Sequence, residues 1–163
     1  MKPPLPSALV LAAVLAVSLG LGGCGGGADA EAPTPAVAAG SPARLAVDDI
    51  VAGSGAEALA GSRVQVSYTA WLYDAAAPGF KGARVDASSP HQPFSFVVGA
   101  HGTADSAIAG ISQGVQGMRT GGKRTILVPS SMAYGASGYL PLIPGNAGLV
   151  FEVELLRVCG GAC

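Results

Sequence analysis

The pentapeptide GISQG, residues 110–114, has the spacing of a hydrolase nucleophile turn. In such a turn a strand leads into the serine, and the activating histidine follows later in the chain. Here both histidines, His91 and His101, precede Ser112, and the pentapeptide falls within a segment of helical periodicity. We therefore reject the hydrolase interpretation and expect Ser112 to be a solvent-facing residue of a helix.

The heptapeptide GMRTGGK, residues 117–123, fits the G-x4-G-K spacing of a phosphate-binding loop. Arg124 occupies the position at which Ser or Thr would bind magnesium. The order of elements is also reversed, because a predicted helix precedes the motif and a predicted strand follows it. We expect no nucleotide site here and no cofactor elsewhere in the chain.

Cysteine is the remaining reactive residue type. Cys159 and Cys163 close the chain in VCGGAC, and the glycines between them would allow a small disulfide loop in an oxidising compartment. Free or intermolecular thiols are the alternatives. A metal is least favoured, because zinc prefers four ligands. An enzyme built on this chain must therefore use chemistry that needs little help from functional groups.

The elements that would position a site form a regular pattern. The segment SRVQVSYTAWLY, residues 62–73, alternates with period two, which predicts a strand with one dry face. The residues predicted on that face are Val64, Val66, Tyr68, Ala70 and Leu72. A strand of this kind is typical of an antiparallel sheet. Further strands are predicted at RLAVDDIV, around Ala83 to Asp86, and at QPFSFVVG, KRTILVP and LVFEVELLRV. A long loop near the end of the chain separates the last two of these strands.

One segment has a different period. In DSAIAGISQGVQGM the apolar residues Ile108, Ile111, Val115 and Met118 form a single helical stripe. Asp105 or Ser106 could cap the start of this helix, and the glycines at 121–122 could end it. The internal glycines weaken a helix, so packing across one face of the sheet must hold it. The sequence thus predicts a small α+β domain.

The loop before the last strand is unusual. Residues 130–148 are rich in glycine and proline, yet they contain Met132, Tyr134, Tyr139, Leu140, Leu142 and Ile143. Loops normally stay polar because their backbone is solvated. Apolar side chains in such a loop indicate a surface that does more than connect two strands.

Several segments of the chain resemble those of a known protein family. The segments VQVSYTAWLYD, VDASSPHQPFSFVVG, AIAGISQGVQGMRTGGKRTILVP, MAYGASG and LIPGNAGLVFEVELLRV are similar, in order and spacing, to FKBP-type peptidyl-prolyl cis-trans isomerases. The resemblance covers Arg44 to Val158. It implies an antiparallel sheet of five or six strands wrapped around one short helix, with the apolar loop as one wall of a shallow pocket.

The resemblance also implies a set of site residues. Those carried over as catalytic are Tyr68, Asp86, Phe94 and Tyr134, with Asp86 accepting a hydrogen bond from Tyr68. Those carried over as substrate-binding are Val85, Phe96, Ala107, Ile108, Ile111, Ile143 and Phe151. Ile111 replaces a tryptophan and Val85 a phenylalanine that are common in the family, so the pocket would be thinner.

The implied activity is isomerisation of X-Pro bonds in proline-containing polypeptides, with no cofactor and no metal. The alternative is a catalytically weak peptide-binding or chaperone-like module of the same fold. Nucleic acid is an unexpected partner, because the chain without Lys2 has eight Lys and Arg against ten Asp and Glu and has no basic block. The oligomeric state is left open.

The first residues predict export. Residues 1–23 have Lys2, a short apolar run and small residues, which is typical of a secretory signal. LGGC, residues 21–24, resembles the lipobox of bacterial lipoproteins, which implies lipid on Cys24 and a place in the bacterial cell envelope. An ordinary signal cut near Gly23 and a secreted or periplasmic protein are the alternative. Residues 24–43 would then be a flexible linker, followed by the isomerase domain at 44–158 and a tail at 159–163.

Overall fold

The long strand β2, Arg63–Tyr73, lies at the centre of the fold. The computed structural model describes residues 40–89, 91–100 and 102–160. All of these belong to the unit Pro33–Cys163, while the other unit, Met1–Ala32, lies outside the described residues. The predicted signal, Cys24, His101 and Cys163 therefore lie outside them as well.

Besides β2, the strands of the described residues are β1 Ala46–Val51, β3 Lys81–Ala87, β4 Phe94–Val97, β5 Lys123–Val128 and β6 Leu149–Cys159. These six strands form one antiparallel sheet in the order β1-β5-β6-β2-β3, with β4 also paired to β2. Strand β4 pairs with the first half of β2, at Arg63 to Val66, and β3 pairs with the second half, at Thr69 to Tyr73. The predicted fold class is confirmed.

The core lies between one face of this sheet and the α-helix α1, Ala109–Val115. The alternation predicted for β2 is confirmed, because Val64, Val66, Ala70 and Leu72 are all at most 2 % exposed. Alternate residues of β6 lie on the same, helix-facing side of the sheet as these residues of β2. They are Leu149, Phe151, Val153 and Leu155. Within the described ranges, no helix has the length and apolar character that crossing a membrane would require.

Helix α1 is shorter than its stripe predicts. It begins at Ala109 without a side-chain cap and ends at Val115, and Gly117 then takes a φ of +81°. The expected caps are used elsewhere: Asp105 pairs with Arg63 at 2.9 Å, and the Ser106 hydroxyl donates to a loop carbonyl. The predicted start and end of the helix were therefore wrong.

The glycines inside α1 allow it to approach the sheet closely. A Cβ atom built on Gly110 would lie 2.2 Å from Cγ1 of Val128, and one on Gly114 would lie 2.6 Å from Cδ1 of Ile126. Neither distance is compatible with a side chain at an unmoved helix. The glycines thus lower the intrinsic helix propensity of α1, but they allow its close packing against β5.

Ser112 is not solvent-facing as predicted, since it is 1 % exposed. Its hydroxyl accepts a 2.7 Å hydrogen bond from the backbone N–H of Gly99 and so joins the helix to the turn after β4. Arg124, the residue that breaks the phosphate-loop motif, donates to the carbonyl of Gly114 at 2.8 Å and pairs with Asp49. Both residues have structural partners, and neither motif carries the chemistry that its spacing suggested.

Candidate active site

A cavity of about 400 Å³ opens between the sheet, the start of α1 and the loop of residues 129–148. Its size falls in the range of small-molecule and peptide side-chain sites. Ten of the eleven residues carried over as catalytic or substrate-binding line it: Tyr68, Val85, Asp86, Phe94, Ala107, Ile108, Ile111, Tyr134, Ile143 and Phe151.

Phe96 is the exception, and its assignment to substrate binding was wrong. Its side chain is fully buried and pairs across the sheet with the equally buried Val64. Phe94 and Phe96 do share one face of β4, but the second ring lies deeper, stacked under the first at 5.4 Å. Phe96 therefore supports the wall of the cavity from behind.

Five further residues line the cavity: Ala70, Ser106, Tyr139, Leu142 and Leu149. Ala70 and Leu149 could have been found from the inward alternation of β2 and β6. Tyr139 and Leu142 were already conspicuous as apolar residues in a loop. Ser106 carries no pattern that would assign it to a site.

The wall of the cavity is a cluster of aromatic rings from three strands. The ring of Tyr68 meets Phe94 edge-on at 5.8 Å and Phe151 at 5.9 Å. Ile111 from the helix and Ile143 from the loop are buried beside this cluster, at 5 % and 6 % exposure. The result is a rigid apolar surface, because edge-to-face rings hold one another in place.

The polar side of the cavity is a tyrosine–carboxylate pair. The hydroxyl of Tyr68 donates to Oδ2 of Asp86 at 2.5 Å, and the backbone N–H of Ala87 donates to Oδ1 at 2.8 Å. Ser88 fixes this corner, because its hydroxyl accepts from the N–H of Tyr68 at 3.0 Å and its own N–H donates to the Tyr68 carbonyl at 2.9 Å. The hydrogen bond between Tyr68 and Asp86 that the resemblance implied is present.

Tyr68 and Tyr134 both stay protonated at neutral pH. Burial, and then the hydrogen bond to Asp86, raises the pKa of Tyr68 well above its ordinary value. Burial also raises the pKa of Tyr134, and the nearby charge of Asp86 adds to the effect. The neutral form is favoured in both residues, so the Tyr68 hydroxyl donates to Asp86 and the Tyr134 hydroxyl is available as a hydrogen-bond donor.

The loop of residues 129–148 satisfies part of its backbone by hydrogen bonds within the loop, while several of its apolar side chains stay exposed. The N–H groups of Tyr139 and Ile143 each donate to the other residue's carbonyl, at 2.8 and 2.9 Å. Gly138 has a φ of +65°, and a Cβ there would lie 2.3 Å from the Ile143 carbonyl oxygen, so this turn requires glycine. Tyr139 and Leu142, which line the cavity, are 61 % and 52 % exposed. The loop thus forms one wall of the cavity and exposes apolar side chains at its edge.

The site has hydrogen-bond donors and apolar walls but no set of metal ligands. Across residues 40–89, 91–100 and 102–160, no three His, Cys, Asp or Glu side chains are grouped to hold a metal ion. Cys159 is disulfide-bonded. Its expected partner Cys163 lies outside the described residues, so that pairing stays a prediction. The cavity can hold an apolar ring and direct a hydrogen bond to a carbonyl.

Comparison with known proteins gives a consistent picture. A family model described as FKBP-type peptidyl-prolyl cis-trans isomerase matches residues 55–156. An FK506-binding protein of Neisseria meningitidis serogroup B is 39 % identical over 115 residues, which cover 70 % of this chain and 95 % of that protein. The mouse protein named peptidyl-prolyl cis-trans isomerase FKBP2 is 41 % identical over 99 residues, which cover 60 % and 63 % of the two chains.

A solved structure agrees with these sequence matches. The peptidyl-prolyl cis-trans isomerase of Pseudomonas syringae pv. tomato superimposes with a TM-score of 0.56 at 35 % identity, covering 70 % of this chain and 74 % of the other. The matched family segment contains the residues that line the cavity, from Tyr68 to Phe151.

Proposed function

The chain belongs to the FKBP-type peptidyl-prolyl cis-trans isomerases, and from that premise we propose that Tyr68, Asp86, Phe94 and Tyr134 catalyse the isomerisation. The substrates are proline-containing polypeptides, as the family implies. We further propose that these polypeptides are exported ones and that the enzyme acts in the cell envelope.

The observation that carries the catalytic proposal is the convergence of these four residues on one cavity. They come from three strands and a loop, and they are separated in the chain by up to 66 positions, from Tyr68 to Tyr134. Core packing alone explains Ile111 or Phe151. It does not explain a half-buried tyrosine that is hydrogen-bonded to a carboxylate and packed edge-on against the partly exposed ring of Phe94.

The reaction needs little functional-group chemistry. Rotation about a peptide bond has a barrier of about 18–20 kcal/mol, because amide resonance must be lost. For X-Pro bonds the uncatalysed exchange takes roughly tens to hundreds of seconds. At the twisted state the carbonyl loses conjugation and the nitrogen becomes pyramidal. A water-poor cavity favours this less dipolar state over the planar amide, and each tenfold acceleration requires only about 1.36 kcal/mol.

The site residues divide this work between two sides of the bond. The rings of Tyr68, Phe94 and Phe151 hold the prolyl ring, with Ile111 beneath it. The acyl side rotates, and the Tyr134 hydroxyl, which is protonated at neutral pH, donates a hydrogen bond to a substrate carbonyl. Asp86 holds the Tyr68 ring in position and marks the polar edge of the cavity.

A protease-coupled assay with a short X-Pro peptide tests this assignment. Tyr134→Phe should lower kcat/KM by about tenfold, the effect of one directed hydrogen bond of roughly 1.4 kcal/mol. Tyr73→Phe is the matched control, since the Tyr73 ring stacks on Phe80 outside the cavity and its loss should leave the rate unchanged. Equal rates for the two variants would remove Tyr134 from the mechanism.

A catalytically weak, peptide-binding form is the second candidate function. Ile111 and Val85, in place of larger rings, favour it, and so do the exposed apolar side chains of Tyr139 and Leu142 at the cavity. Binding of a proline peptide at micromolar concentration, with no more acceleration than serum albumin gives, would select this form over the enzyme.

The envelope location rests on the first residues of the chain. A signal-like segment at 1–23 and the LGGC motif at 21–24 support export and lipid attachment at Cys24. Cys24→Ser should shift the protein from the membrane to the soluble fraction of the producing bacterium. Retention of the variant in the membrane fraction would exclude the lipid anchor.

A further inference from the structure

Residues Gly40, Ser41 and Pro42, which we call the N-terminal strap, lie against the two ends of the loop of residues 129–148. They precede the first strand and belong to the stretch whose composition predicts a flexible linker. Ser41 and Pro42 are nevertheless partly buried. Residues with defined contacts thus extend upstream of Arg44 and of the segment that the family model matches.

The strap is hydrogen-bonded to both ends of the loop of residues 129–148. The N–H of Ser130, at the start of the loop, donates to the hydroxyl oxygen of Ser41 at 2.8 Å, across 89 positions of chain. The N–H of Gly148, at its end, donates to the carbonyl of Gly40 at 3.2 Å. One short segment therefore joins the two ends of the loop to each other.

The contact at Gly148 is too close for any side chain. A Cβ there would lie 2.5 Å from Cδ of Pro42 and 2.8 Å from Cα of Ser41. The Gly148 carbonyl also accepts from the N–H of Tyr73 in β2 at 2.9 Å. The strap is thus packed against backbone that is itself fixed to the sheet.

The Ser130 peptide connects the strap to Tyr134. The Ser130 carbonyl accepts from the N–H groups of Ala133, at 3.0 Å, and Gly135, at 2.9 Å. These are the two residues on either side of Tyr134. Ser41 holds the amide of Ser130, and the carbonyl of Ser130 holds the backbone around Tyr134.

We propose that Ser41 is a positioning residue of the isomerase site, acting through Ser130 on the Tyr134 hydroxyl. The inference rests on the role proposed for Tyr134 above. Without the Ser41 hydroxyl, the partly buried N–H of Ser130 loses its acceptor, and the loop samples positions in which Tyr134 is displaced. The rate then falls in proportion to the fraction of molecules that keep the competent position.

The expected size follows from one hydrogen bond. A net contribution of that kind changes an equilibrium by about two- to tenfold. Ser41→Ala should therefore lower kcat/KM about three- to tenfold, mostly in kcat, since the apolar walls that bind the prolyl ring are unchanged. Ser41→Thr keeps a hydroxyl acceptor and should stay within about twofold of the wild type.

The test is a double-mutant cycle in the full chain, read with the same X-Pro peptide assay. The variants are Ser41→Ala, Tyr134→Phe and their combination, with Ser54→Ala, an exposed serine after β1, as the control. Each is assayed well below its own melting temperature, and rates are normalised to the folded fraction measured by circular dichroism. The loss caused by Ser41→Ala should disappear in the Tyr134→Phe background, because no hydroxyl remains to be positioned.

Two results would overturn the inference. One is a Ser41→Ala enzyme within twofold of the wild type. The other is a loss of the same size in both backgrounds, which would mean that the strap acts on general stability. Failure of the proposed function itself looks different, since the wild type would then be inactive or Tyr134→Phe would be fully active.

Discussion

Replacing Tyr68 with phenylalanine removes one hydroxyl and leaves the aromatic cluster in place. The ring can keep its contacts with Phe94 and Phe151, at 5.8 and 5.9 Å. What is lost is the 2.5 Å hydrogen bond to Asp86. The substitution therefore separates the contribution of the polar pair from that of the apolar wall.

The size of the effect follows from this geometry. A hydrogen bond to a charged group contributes about 1.5–3 kcal/mol, and the low end applies because Asp86 is exposed and its carboxylate can be solvated by water. One carboxylate oxygen also keeps the N–H of Ala87. We expect kcat/KM to fall about tenfold, equivalent to about 1.4 kcal/mol, and the melting temperature to fall by a few degrees.

The assay is X-Pro peptide turnover combined with thermal unfolding, for Tyr68→Phe, Asp86→Asn and the double variant. If the pair acts as a unit, the double variant should be little worse than either single one. Additive losses, or a Tyr68→Phe enzyme as fast as the wild type, would show that the pair has no shared role in catalysis.

Three further outcomes follow from the packing and the pKa directions. Gly110→Ala should destabilise the fold by about 1–3 kcal/mol in urea unfolding, because its methyl group collides with Val128 and this exceeds the gain in helix propensity. Leu142→Ser should raise KM about fivefold with little change in melting temperature, since this rim side chain is 52 % exposed and its contact with substrate is worth about 1 kcal/mol. Because the pKa values of Tyr68 and Tyr134 are raised on folding, their contribution to stability should be complete below about pH 10 and be lost only above it, as unfolding titrations at pH 7, 9 and 10.5 would show.

Local patterns predicted the sheet well. The alternation in β2 predicted five inward residues: Val64, Val66, Ala70 and Leu72 are buried, and Tyr68 is partly buried and lines the cavity. The same rule could not separate Phe94 from Phe96, because both point to one face of β4 and only depth within the fold distinguishes them. Depth depends on what packs above a strand, and a two-residue period carries no information about that.

The helix shows where composition misleads. Its stripe correctly marked Ile111, Val115 and Met118 as buried. The ends were wrong because Asp105, a good cap by type, instead pairs with Arg63 across 42 positions. Ser112 was misplaced for a similar reason, since its buried hydroxyl satisfies the Gly99 N–H, a group that only the tertiary fold brings near.

The site itself came from resemblance more than from pattern. Residue types alone marked the loop as unusual, but no spacing rule places Asp86 beside Tyr68, because the two meet through a strand pairing with register shifts. The N-terminal strap could not be predicted from the sequence for a similar reason. A glycine–serine–proline stretch reads as linker, and the partners of Ser41 lie in a loop far along the chain.

Exchange NMR on a short peptide with one X-Pro bond is the most direct measure of the reaction, because it needs no coupled protease. With catalytic amounts of the protein, the cis and trans proline signals should broaden and exchange far faster than in buffer, and Tyr134→Phe should remove most of that acceleration. Exchange no faster than with an equal mass of serum albumin would contradict the account, however well the cavity is formed.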